Sequence, residues 1–360
     1  MISAPVFAML LFVVVVTACA ALLAARKIAN RVGLVDRPNH RKHHHGAIPL
    51  VGGISVFCGI GVLVFLSPVA LPGFLAYLSG MFILMLVGVL DDRFDIPIGW
   101  RVAAQATVAM IMILPGGLTL QHLGHLLGPE WDIRLGVMNY PITVFVVWAA
   151  INAFNMMDGI DGLLGGLAGV SFMALAVLFY QGANEALLVW SMALIATLLP
   201  YCAMNLGLFG RRYRVFMGDA GSTMVGFSVI WLLLQGSQGE SMSLRPVTAL
   251  WIIAIPLIDL VAIIYRRLRR GSNPFLADRL HVHHLLMRAG WSSHQACAVI
   301  TLCAALLAVL GISAEILAVP EYLMLIGFLL VFCCYGYALK GSWRLARTVR
   351  RMQRRDVGSP

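Results

Sequence analysis

Apolar stretches long enough to cross a bilayer follow one another along nearly the whole chain, and that leaves few folds open. A hydrocarbon core of about 30 Å takes roughly 20 apolar residues in a helix. Eleven segments come close to this: residues 4–25, 50–66, 74–90, 102–120, 142–154, 163–180, 186–204, 220–234, 247–265, 295–312 and 322–339. In lipid a backbone must satisfy its own N–H and C=O groups. The expected fold is therefore all-α, a polytopic membrane protein with about eleven transmembrane helices. A 60% hydrophobic content, 12% charged residues and a mean hydropathy of +0.88 exclude a soluble domain. One membrane domain, residues 1–343, is expected, followed by a basic tail, residues 344–360. The first stretch carries no charge before Arg26 and no small-residue cleavage site, so it reads as a retained helix. The seven cysteines lie within or beside apolar stretches, without CxxC spacing, and read as packing residues.

Charge fixes the orientation. With the amino terminus periplasmic and the spans alternating, all but Arg134 and Arg245 of the 26 Lys and Arg residues fall on one side, together with the carboxyl terminus. The positive-inside rule makes that side cytoplasmic. The net charge of +10 is then mostly topology, with some attraction to membrane lipid, and needs no nucleic-acid partner.

The acids are not scattered. A charge in hydrocarbon costs about 2.5 to 3.5 kcal/mol at a helix centre, so carboxylates kept beside apolar spans need a reason. Asp91, Asp92 and Asp95 close the third span at its inner end, where Pro97 is expected to stop it. Asn152, Asn155, Asp158 and Asp161 follow at three-residue steps and would share one face if that turn is helical. Asp219 opens the eighth span in the run Phe216 to Ser222. All six carboxylates reach one membrane surface from three separate loops. Like charges so close call for a cation, and oxygen ligands suit Mg²⁺, with Mn²⁺ an alternative. Taken alone, Asp219 could be a helix N-cap and Asp91 with Asp95 a solvated helix end. Their convergence argues instead for metal-dependent phosphoryl transfer.

The basic partners are as marked. Arg266, Arg267, Arg269 and Arg270 precede His281, His283 and His284, and an early loop offers Arg37, Arg41 and Lys42 among His40 and His43 to His45. Cations and imidazole donors near a metal are what a diphosphate requires. Zinc suits the site less well, because no cysteine joins the imidazoles. Asp259 lies inside the ninth span and reads either as a functional acid or as an anchor for a neighbouring helix.

The runs Asp91-Asp92-Arg-Phe-Asp95, Asn152-Ala-Phe-Asn155-Met-Met-Asp158-Gly-Ile-Asp161, Phe-Met-Gly-Asp219-Ala-Gly-Ser and His281-Val-His283-His284, in this order, resemble the polyprenyl-phosphate N-acetylhexosamine-1-phosphate transferases. The segment Gly33 to Lys42 and the run Leu50-Val-Gly52-Gly53 extend the likeness over essentially the whole chain. It is strongest to the branch that begins enterobacterial common antigen and O-antigen synthesis. The resemblance implies transfer of N-acetylglucosamine 1-phosphate from UDP-GlcNAc to undecaprenyl phosphate in a bacterial inner membrane, with UMP released at the cytoplasmic face. By the same resemblance Asp219 and Asn155 bind the metal, and Asp91, Asp92, Asp158 and Asp161 are catalytic. Lys42, Asn152, Arg267, His281, His283 and His284 would bind substrate. A run of three histidines, His43 to His45, stands where the family pattern has one, so His43 and His45 carry no assigned role. A homodimer is left open. The alternatives are a sister transferase using another UDP-N-acetylhexosamine and, from another class, a secondary transporter of an anionic solute.

Overall fold

Each of the eleven apolar segments contains helix in the computed structural model, which describes residues 2–37, 46–67, 69–239, 242–271 and 281–356, with side chains as far as residue 339. The chain reads α1 (Ala4–Val32), α2 (Gly52–Leu66), α3 (Phe74–Phe94), α4 (Ile98–Ile113), α5 (Asn139–Met157), α6 (Leu163–Gln181), α7 (Glu185–Asn205), α8 (Gly218–Ser237), α9 (Pro246–Ile252), α10 (Ala254–Arg269), α11 (Val282–Arg288), α12 (Ser293–Ile316) and α13 (Glu321–Asp356). The protein is a multi-pass membrane protein. Among the described residues eight helices, α1, α3, α5 to α8, α12 and α13, are long and apolar enough to cross a bilayer. Two further segments, α2 and α4, are helices of only 15 and 16 residues.

The ninth expected span is bent. The axes of α9 and α10 differ by 84° across Ile253. Pro256 explains the break, because its ring collides with the carbonyl four residues earlier, at Ile252, where α9 ends. Two other boundaries also moved. The first helix runs past Arg26 and Lys27 to a left-handed Gly33 at φ 73°, and the fourth stops at Ile113, short of Leu120. Nor is the fold wholly α. Val35–Asp36 (β1) pairs with Ile48–Pro49 (β2), and His122–Gly124 (β3) with Ile133–Arg134 (β4), both antiparallel. The last helix continues to Asp356 with no break at residue 343.

The axis of the bundle is α8, whose apolar window is 94% buried, against 17% for α13. It packs against α2, α3, α5 and α6. Tyr77 of α3 stacks on Phe227 at 5.8 Å and shares a 2.7 Å hydrogen bond with Ser228 Oγ, both on α8. Small residues bring backbones together at the start of α8. A Cβ at Gly88 would lie 2.2 Å from Ala220 Cα, and one at Gly53 2.5 Å from Gly221 N. The Leu50-Val-Gly52-Gly53 run also docks by main chain. Phe216 N–H donates to Pro49 O, Val51 and Gly52 N–H to Phe216 O, and Gly53 N–H to Met217 O. That seam fixes where Asp219 enters the bundle.

At the opposite end the β3–β4 ribbon is pinned by Gln238, whose Oε1 accepts from Gln121 and His122 N–H. There Arg245 forms a two-pronged pair with Glu315 at 3.1 Å and also donates to Val319 O and Ala314 O.

Candidate active site

Asp219 is the second residue of α8, where main-chain N–H groups point out of the helix and favour negative charge. It does not cap that helix. Asp92, at the end of α3, supplies the cap: its carboxylate accepts from Asp219 N–H at 2.9 Å and from Ala220 N–H at 3.4 Å. Only a glycine fits at position 218, where φ is 75° and a Cβ would lie 2.3 Å from Asp92 Oδ2. Asp92 thus holds the start of α8 against α3.

The neighbouring Asp91 faces the other way and is nearly fully buried. Its Oδ1 accepts from Ile96 N–H, and its Oδ2 lies 3.0 Å from Arg101 Nη1. The same guanidinium nitrogen is 3.9 Å from Asp219 Oδ2. Beneath this ion cluster a narrow crevice is lined by Leu84, Val87, Ala104 and Gln105, together with Asp91, Arg101 and Asp219.

Asn155 reaches the same point from α5, donating from Nδ2 to Asp219 Oδ1 at 2.6 Å and to Ser222 Oγ at 2.8 Å. Asn152, one turn deeper, does not join the acids. It donates to Gln105 Oε1 at 2.9 Å and to Trp148 O. The expectation of one helical face carrying four polar groups fails because α5 ends at Met157, and Asp158 has left the helix with ψ at 53°. Asp161 instead pairs with Arg214 at 3.0 Å, while Gly162 N–H donates to Asn205 Oδ1.

Residues 74–237 match glycosyl transferase family 4. Three bacterial relatives are each named undecaprenyl-phosphate alpha-N-acetylglucosaminyl 1-phosphate transferase. The Yersinia pestis protein is 54% identical over 93% of this chain and 92% of its own length. The Escherichia coli K12 protein is 52% identical, covering 93% and 91%, and that of Haemophilus influenzae 51%, covering 96% and 97%. The chain belongs to glycosyl transferase family 4. It is an enzyme, a phosphoglycosyl transferase, and the transporter alternative is set aside.

The histidine run of the transferase closes over the Asp158 loop. His283 is buried against Gly159, where a Cβ would fall 2.2 Å from its Nε2. Neither of its ring nitrogens has a hydrogen-bond partner among the described residues. Burial, with His284 and His281 close by, pulls His283 down to about 2, so it stays neutral. Its ring is parallel to His281, within 3° at 5.7 Å. Asp259 is fully buried on α10 and anchors this run, meeting His281 Nδ1, Val282 N–H and Tyr335 O–H. Arg267 is buried at the carboxyl-terminal end of α10. Lys42, with His40 and His43 to His45, lies outside the described residues.

Burial and the charges of Asp219 and Asp161 push Asp158 up to about 7. Asp91 and Asp219 thus share Arg101, while Asp158 feels the charge of Asp219 with no cation answering it, a set of acids short of positive charge. No three Asp, Glu, His or Cys side chains among the described residues form a ready metal cage. Mg²⁺ does not need one, since one or two carboxylates plus waters and phosphate oxygens complete its shell. The half-exposed Asp219 suits such an ion, and Asn155 N–H holds that carboxylate in place from behind. Reading the sequence missed Arg101. It stands alone in the first turn of an apolar helix, a place that a topological count of cations absorbs without comment.

Proposed function

We propose that the transferase moves N-acetylglucosamine 1-phosphate from UDP-GlcNAc to undecaprenyl phosphate, giving undecaprenyl-diphospho-N-acetylglucosamine and UMP. One observation carries the chemistry: Asp91 of α3 and Asp219 of α8 meet on Arg101 beside a narrow crevice, with Asp158 of the α5–α6 loop close enough to feel the charge of Asp219. A prenyl phosphate offers a charged head for Arg101, and its apolar stem can remain in the surrounding lipid. The names of relatives 51 to 54% identical support the same donor sugar and lipid.

In this reading an oxygen of the lipid phosphate attacks the sugar-linked phosphorus in line. The bond from that phosphorus to the oxygen of UMP breaks, and UMP leaves with the electron pair. Asp219, steadied by Asn155, would hold Mg²⁺ or Mn²⁺, which when bound supplies charge neutralisation for the diphosphate and the leaving group. Arg101 fixes the lipid phosphate, and buried Asp91 keeps the guanidinium aimed. Asp92 sets the start of α8, and Asp161 ties the loop bearing Asp158 to Arg214. Buried Arg267 and the histidine run offer donors to the nucleotide sugar. Positioning and electrostatics would supply most of the acceleration. The lean of Lys and Arg toward this end of the bundle supports a cytoplasmic site in a bacterial inner membrane. The product would serve enterobacterial common antigen and O-antigen synthesis.

The test is UMP release by purified protein with undecaprenyl phosphate and Mg²⁺, offered UDP-GlcNAc, UDP-GalNAc and UDP-MurNAc-pentapeptide in turn. UDP-GlcNAc should be the preferred donor, and omission of the lipid should abolish release. Preference for another donor, or release without lipid, overturns the assignment.

A further inference from the structure

Asp259 is a carboxylate within α10, the longer arm of the bent ninth segment, fully buried, and it is not one of the two acids that face Arg101. Its two oxygens are fully engaged. Oδ1 accepts from Val282 N–H at 3.2 Å and from Tyr335 O–H at 2.6 Å, and Oδ2 lies 2.7 Å from His281 Nδ1. One side chain therefore joins α10, the start of α11 and α13. A helix anchor would need only one of these bonds. The contact to His281 does something more, because a carboxylate accepts and Nδ1 must then carry the proton in either charge state of the ring.

We infer that Asp259 and Tyr335 are positioning residues, fixing the tautomer and angle of His281 so that its Nε2 is the nitrogen offered to the nucleotide-sugar phosphates. This rests on the proposed function in one respect, that the histidine run faces the donor. His281 is parallel to His283, which lies on Gly159 beside Asp158. An error in the His281 angle is thus passed through one ring to the acid loop. Partners that orient a functional imidazole from behind typically change activity by about 10- to 100-fold when altered. Tyr335 makes α13, otherwise the least buried span, part of the catalytic construction.

The test is Asp259→Asn, alone and in a His281→Asn background. Val282 N–H and Tyr335 O–H both claim Oδ1, so the new amide nitrogen must face His281. It would donate to Nδ1 and move the ring proton to Nε2. The expected result is a fall of about 10- to 100-fold in kcat/KM for UDP-GlcNAc, with KM for undecaprenyl phosphate unchanged. In the His281→Asn background the same change should cost almost nothing. ¹⁵N-histidine NMR reads the tautomer directly and without turnover: wild-type His281 should be protonated at Nδ1, and Asp259→Asn should shift the proton to Nε2. Should Asp259→Asn fail to fold, Tyr335→Phe carries the same cycle with a smaller loss. A loss that multiplies with that of His281→Asn, a silent Asp259→Asn, or a wild-type proton on Nε2 alone overturns the inference while leaving the proposed reaction standing. Full turnover by His281→Asn sinks the donor-facing role of the histidines, and this inference with it. Absence of UMP from every UDP-sugar sinks the reaction, and the NMR result then decides the positioning of His281 by itself.

Discussion

The two ends of the bundle solve the problem of polar groups near lipid in opposite ways. At the end where β3 and β4 pair, Arg245 is answered by both oxygens of Glu315 and by two carbonyls, Gln238 takes two main-chain N–H groups, and Thr143 Oγ1 accepts from Leu120 N–H. At the other end Asp91 and Asp219 share Arg101, Asp158 lies against their charge, and His283 has two ring nitrogens without a partner among the described residues. An unanswered buried polar group costs about 1 to 3 kcal/mol. At the ribbon end buried Asn139 Oδ1 and Glu321 Oε2 also lack partners among the described residues, but its charged groups are answered within the fold, whereas at the acid end, on the proposed function, substrates and a cation would complete the pairing.

The sharpest way to break the comparison is Asp219→Asn. Loss of the carboxylate that would hold the ion should lower turnover at least about a hundredfold, while the melting temperature of the metal-free protein stays level or rises, because a like charge has been removed. UMP release close to wild type would refute the assigned role, and a large drop in melting temperature would make Asp219 a structural residue like Asp92. Arg101→Ala comes next. It should lower kcat/KM for undecaprenyl phosphate by about 10- to 100-fold, and it should also destabilise, because it strands buried Asp91. Arg101→Lys should recover part, since one nitrogen meets both acids and an ammonium can replace it, while the other guanidinium donors are lost. An unchanged KM for the lipid would move the lipid phosphate elsewhere.

How much of this was legible in the sequence follows from the same contrast. Hydropathy gave the segments, because burial in lipid is a property of a stretch and can be read locally. The acid motifs could be read too, since carboxylates beside apolar runs are costly and conspicuous. What a local reading could not supply was partnership. Nothing near Asp92 says that it caps a helix 127 residues away. Arg101 looks like one more inner cation until Asp91 and Asp219 are seen on either side of it. The bend at Ile253 was foreshadowed by Pro256, yet the unbroken apolar run argued for a straight span. Asp259 had two readings of equal weight, and only the joint placement of His281, Val282 and Tyr335 shows that it anchors and orients at once.

The well-paired end offers the converse experiment. Arg245→Leu leaves Glu315 buried without its cation and frees Val319 O and Ala314 O. Stability should fall by about 2 to 3 kcal/mol, with turnover at low temperature within about twofold of wild type. Glu315→Gln should cost less, since an amide still accepts from Arg245. Loss of turnover in step with stability would mean that the two ends are coupled and that the contrast between them has no functional content.

The smallest effect reads the cost of ionising Asp158, to which burial and the charges of Asp219 and Asp161 both contribute. Asp158 carries a folded-state pKa of about 7 against an ordinary 3.8. A carboxyl that binds its proton more tightly when folded lowers stability as pH rises through that window: the native state holds a proton that the unfolded chain has already released, until both are ionised above 7. Asp158 is partly exposed, so screening trims the effect to about 1 kcal/mol. Asp158→Asn cannot ionise and should escape the penalty. In protein stripped of metal by a chelator, wild type and Asp158→Asn should melt alike near pH 4 and separate by pH 8, with the variant higher. Added Mg²⁺ should then close the gap by stabilising the wild type, because the ion answers the charge that Arg101 alone does not. A gap that is constant with pH would mean that folding does not raise the Asp158 pKa, and a pH-dependent gap that Mg²⁺ leaves open would assign the rise to burial and not to the neighbouring acids.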